Sequence, residues 1–91
     1  MSSYAKDKDK IVARLKRIEG QVRGIQRMVE DDKYCVDVLT QLSSVIGAAE
    51  KVGLIILQDH IDGCVRNAIH HDDGDAHIKE LIDVVERFIK A

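Results

Sequence analysis

Residues 34–69 contain no proline and repeat their apolar side chains at helical spacing: Val38, Leu39, Leu42, Val45, Ile46, Ala49, Val52, Ile56, Cys64, Val65 and Ala68. This pattern predicts a helix over about 33–70, far longer than the helices of ordinary globular domains. A chain of 91 residues makes one domain, 1–91, and cannot bury so long a rod from all sides. Two shorter helices are expected beside it, over about 7–30 and 76–90. The fold class is therefore all-α, three helices per chain, with the bundle completed by a second chain.

The long helix also sets the position of three chemically distinctive residues. At ~1.5 Å per residue, Cys35 lies roughly 37 Å from His60 along the axis, so one straight helix cannot bring them together. At about 100° per residue, however, Cys35, His60 and Cys64 share a face, with His60 and Cys64 an i, i+4 pair. Two copies paired antiparallel about a two-fold axis near residues 48 and 49 place Cys35 of one opposite His60 and Cys64 of the other. Symmetry then gives two identical sites. Gly47, Ala48 and Ala49 supply the small side chains that a close approach needs at the axis. Two thiolates and one imidazole suit Cu(I), which accepts three ligands; Zn(II) would need a fourth that nothing obvious supplies.

The first predicted helix has the stripe Ile11, Leu15, Ile18, Val22, Ile25, Val29, a bundle seam. Its other side carries Lys6, Lys10, Arg14 and Arg17 in one row and Lys16, Arg23 and Arg27 in another. Residues 1–30 hold eight Lys/Arg against four Asp/Glu, whereas 31–91 hold six against twelve. The acidic remainder argues against a general nucleic-acid binder, and the basic third leaves room for a phosphate-facing surface. Gly20 and Gly24 cost about 1 kcal/mol each relative to Ala and bare the backbone on that side. Residues 1–9 read as a frayed polar lead. Asp31 and Asp32 read as turn residues able to cap the second helix. His70, His71 and His77 read as exposed loop histidines. No apolar run long enough for a membrane span and no signal-peptide core are visible, so the expected compartment is the cytoplasm, where two cysteines suit ligation better than a disulfide. No nucleophile–base pair, paired catalytic carboxylates or phosphate loop suggests an enzyme.

The run RLKRIEGQVRGIQRMVEDDKYCVDVLTQLSSV, residues 14–45, the His60-x-x-x-Cys64 pair and the terminal IKELID stretch with Glu80 resemble the copper-sensitive operon repressors of the CsoR/RcnR family. That resemblance covers nearly the whole chain. It implies an antiparallel four-helix-bundle dimer core, doubled as a dimer of dimers, that binds operator DNA when metal-free and releases it on binding Cu(I). It implies one Cu(I) per protomer, bridging two chains through Cys35, His60 and Cys64, with Tyr34 and Glu80 as outer contacts of the ligands and a copper chaperone as possible donor. It places DNA contact on Arg14 and on Lys51, which stands where the family pattern has Arg; Lys16, Arg17 and Arg23 of the basic rows complete the expected DNA-facing set. Nickel and cobalt sensors of the family differ by an N-terminal His and a His at the second Cys position, and persulfide sensors lack the His. Alternatives from outside this reading are a cytosolic Cu(I) buffer without a DNA role and a helical adaptor with cysteines as core filler.

Overall fold

The computed structural model of the chain describes residues 3–65, 67 and 74–90. A 3-10 turn, Ser3–Asp7, leads into helix α1, Lys8–Glu30. Helix α2, Cys35–His60, follows, then a π-helical turn, Ile61–Val65, and helix α3, Gly74–Lys90. No strand occurs among the described residues.

The reversal between α1 and α2 is closed by main-chain bonds. Asp32 takes a left-handed conformation, φ 54°. Its N–H donates to the Val29 carbonyl at 3.1 Å, and the Lys33 N–H donates to the Met28 carbonyl at 2.9 Å. These are the paired bonds of a Schellman ending, with Asp where glycine is usual. The aspartates therefore finish α1 and do not cap α2, which begins after Tyr34 without a side-chain cap. Instead the Tyr34 carbonyl accepts the Asp37 and Val38 N–H groups, at 3.0 and 3.2 Å. Asp32→Gly removes the Cβ penalty of the left-handed turn. It is expected to stabilise the chain by about 0.5–1 kcal/mol in urea unfolding; an unchanged or lowered midpoint would contradict this account of the turn.

The second helix departs from its expected course. Regular α-helix starts at Cys35 and stops at His60, and the chain widens into a π turn through Ile61, Asp62, Gly63, Cys64 and Val65. Single π turns occur inside α-helices, often at functional sites, and Gly63 gives this one a backbone free of Cβ crowding. The expected continuation over residues 68–70 lies outside the described residues.

Helix α1 folds back along α2, and Ile11, Val52 and Ile55 form the buried cluster, flanked by Ile18 and Ile56. Helix α3 contacts the π turn, and near the end of the helix the Phe88 ring rests on Gly53. A Cβ at position 53 would fall 2.6 Å from Phe88 Cε2 and nearer still to Cζ, so Gly53 is a seat for that ring as well as a weak point in the helix. The polar lead is also more ordered than expected, because Ser3–Asp7 packs against α2.

The described chain is a thin slab, 56 × 27 × 13 Å, little thicker than one helix. Its radius of gyration is 17.2 Å, against about 12 Å for a compact domain of this length. It exposes 7119 Å², where a folded monomer of this mass exposes about 5300 Å². Much of the surplus is apolar: Leu39, Leu42 and Ile46 of α2 stand in one exposed row, with Ile46 at 58%. This row also explains why Cys35–Gly63 is long and apolar enough to cross a membrane by length and composition, contrary to the expectation that no such stretch exists. The segment is amphipathic, with Asp37, Glu50, Lys51, Asp59 and Asp62 interrupting it.

Candidate metal centre and DNA-facing helix

Cys35 is the first residue of α2, and its thiol is free and exposed. His60 is the last, half-buried. A helix of 26 residues holds them about 37 Å apart, on the face that also carries Leu39 and Ile46. Cys64 lies in the π turn just beyond His60. Among the described residues, no three His, Cys, Asp or Glu side chains come together within the chain. Soft thiol donors and a borderline imidazole suit a copper(I) site, but a single chain presents them as two separated halves.

The two expected outer contacts fall at opposite ends as well. Tyr34, 67% exposed, precedes Cys35. Glu80 is exposed on α3, the helix that contacts the π turn following His60 and sets Phe88 on Gly53 further back along α2. Glu80 thus belongs to the His60 end of its own chain, whereas Tyr34 belongs to the Cys35 end. His77 is not the loop residue expected: it lies in the first turn of α3, half-buried, with a buried Nδ1 that has no hydrogen-bond partner. His70 and His71 lie outside the described residues.

On α1, Lys16, Arg17 and Arg23 are exposed and Arg14 is half-buried. Arg23 also meets Glu19 at 3.5 Å, an exposed i, i+4 pair of small energetic value that solvent or a phosphate can displace. Lys51 is exposed on α2, one residue before Val52, which packs with Ile11; it therefore stands at the level of the first turns of α1. A Cβ at Gly20 or Gly24 would meet nothing within 4 Å, so the backbone on that face is open to a close neighbour.

One residue of note escaped the sequence reading. Asp59, adjacent to His60, is 5% exposed. Its Oδ1 lies 3.6 Å from Lys6 Nζ, and its Oδ2 is buried without a hydrogen-bond partner. The Asp7 carboxyl beside it, and then burial, raise the Asp59 pKa above its ordinary value, while Lys6 pulls the other way. The signal was available: Asp59 falls in phase with Val52 and Ile55, an acid at a core position of an apolar helix.

Residues 7–87 match the family described as metal-sensitive transcriptional repressor. The copper-sensing transcriptional repressor CsoR of Bacillus subtilis is 55% identical over 87 residues, covering 96% of this chain and 86% of that protein. The crystal structure of the copper-sensing repressor CsoR with Cu(I) from Geobacillus thermodenitrificans NG80-2 superposes with a TM-score of 0.88 at 45% identity, over 93% of this chain and 88% of that one. The nickel-responsive transcriptional regulator InrS superposes with a TM-score of 0.77 at 38% identity, over 88% and 90%.

Proposed function

The chain belongs to the metal-sensitive transcriptional repressor family, and we propose that it is a Cu(I)-sensing member whose metal-free form binds operator DNA and whose copper-bound form lets go. It is a regulator and not an enzyme. The observation that carries the copper reading is the pair of half-sites on α2. Cys35 and His60 share one face at opposite ends of a helix whose apolar row is left uncovered by its own chain. An antiparallel second copy covers that row and joins Cys35 of one protomer to His60 and Cys64 of the other. The surface surplus supports this reading, because it is of the size that obligate interfaces bury. Gly47, with nothing within 4 Å of a Cβ, supplies the open centre. The functional unit is then a dimer, doubled to a tetramer, with one Cu(I) per protomer bridging two chains. It works in the cytoplasm on genes for copper export or copper carriage, with a copper chaperone as the class of donor.

The test is fluorescence anisotropy on DNA from upstream of the chain's own gene. Stoichiometric Cu(I) should release the protein and Ni(II) should not. Binding that copper leaves unchanged would refute the reading. Release by Ni(II) alone would favour the second one, a nickel sensor, which the likeness to InrS keeps in view and which the Cys at position 64 speaks against. No DNA binding at all would leave a copper buffer.

For the DNA-facing set, Arg14→Ala should weaken binding to all sequences and reduce the slope of log K against log salt by about 0.9. Gly20→Ala should act differently. It stabilises α1 by about 1 kcal/mol and weakens DNA binding by holding a phosphate off the backbone. A variant that gains stability with DNA affinity unchanged would move the interface elsewhere.

A further inference from the structure

Residues 3–10 carry Lys6 and Lys10, the start of the basic row that continues along α1. A short polar segment of this kind has no core of its own to hold it. Here it is nonetheless folded, as the 3-10 turn Ser3–Asp7, and packed against α2. A polar tie in that contact is Lys6 Nζ to Asp59 Oδ1, 3.6 Å. The two ends of the tie are unequal: the Lys6 side chain is 63% exposed and the Asp59 side chain 6%. Burying a carboxylate beside a second one, Asp7, works against stability, and an apolar residue in this core phase would pack better. An arrangement that is poor for stability but fixes where a segment lies points to positioning. Asp59 also immediately precedes His60, at the last turn before the α-helix widens.

We propose that Asp59 is a positioning residue of the switch: it holds the N-terminal segment, and with it the first turns of the basic row, against the end of α2 beside His60. A change in backbone at the His60–Val65 turn then moves Asp59 and, through Lys6, the DNA-facing segment. This rests on the copper-release reading above and adds the route by which it reaches helix α1.

The experiment compares full-length wild type, Asp59→Asn, Lys6→Gln and the double variant. It reads DNA affinity by anisotropy with and without stoichiometric Cu(I), Cu(I) affinity by chelator competition, and amide hydrogen exchange over residues 4–8 in the metal-free protein. Each single variant should keep wild-type Cu(I) affinity, speed exchange in that segment, and shrink the ratio of metal-free to copper-loaded DNA affinity by about fivefold or more. The double variant should do no more than either alone, because both remove the same tie. Lys6 is exposed, so Lys6→Gln still decides the matter if Asp59→Asn does not fold. Loss of a simple phosphate contact would lower both affinities and leave their ratio intact, and that result for Lys6→Gln would overturn the proposal. If wild type responds to copper and the variants respond as fully, this inference alone fails. If wild type itself does not respond, the copper-release reading fails and takes the route with it.

Discussion

Cys35→Ser abolishes tight Cu(I) binding, Cys64→Ser does the same, and a heterodimer carrying one substitution on each chain regains one site of the two. That is the expected result if the site is shared. Each homodimeric variant leaves both sites with a single thiolate and an imidazole. The loss should exceed the ~10–100-fold that follows removal of an outer contact of a metal ligand. In the mixed dimer, the chain carrying Cys35→Ser offers its His60 and Cys64 to the intact Cys35 of the other, which restores a complete donor set. The opposite site has lost both thiolates and stays empty. A site within one chain would give the reverse: every chain in the mixture would lack a cysteine, and nothing would recover. The geometry already weighs against that case, because Cys35 and His60 stand at the two ends of 26 residues of regular helix. Titration of Cu(I) against a chromogenic chelator, on heterodimers purified with two different tags, counts the tight sites. One per dimer supports the shared site; none overturns it.

How much of this was legible in the chain depends on the distance over which each cause acts. The helix stripe of α1 and the phase of Cys35 with His60 are local periodicities, and the sequence carries them in full. The exposed row Leu39, Leu42 and Ile46 shares that phase, so the apolar side left uncovered could be read along with the candidate ligands. The ending of α1 was half legible. Asp31 and Asp32 mark a turn, but which of them goes left-handed, and that neither caps α2, depends on how α2 must leave to pack Val52 and Ile55 on Ile11. The order in Ser3–Asp7 was not legible from the segment itself, since Lys6 is fixed by Asp59, more than 50 residues away. Gly63 loosens the backbone of α2, yet composition does not distinguish a bend from a π turn. Nor could the role of Gly53 as the seat of Phe88 be read from the chain, because that contact exists only once α3 has folded back.

His60→Ala should separate holding copper from responding to it. A ligand shifts an equilibrium only by its differential affinity for the two states. Two thiolates hold Cu(I) without help, so the variant should keep substantial affinity. The imidazole is different because it has two functional nitrogens. When one is engaged as a ligand, the other is fixed as an N–H donor and requires an acceptor. Glu80 is suited to be that acceptor: it lies exposed on α3, the helix that contacts the π turn beyond His60. Helix α3 is also seated on α2 through Phe88 and Gly53, so a pull at Glu80 acts on a helix already engaged at its far end. Removing the imidazole leaves the metal held but cuts this connection. Ordinary allosteric coupling is worth about 5–150-fold in affinity. The copper-driven loss of DNA affinity should fall from that range to about twofold or less in His60→Ala, and part of the way in Glu80→Ala. Anisotropy on operator DNA, with Cu(I) loading verified for each variant, measures both quantities on one sample. Full release by copper-loaded His60→Ala would mean that the imidazole only completes the site and that the thiolates alone drive the change in shape.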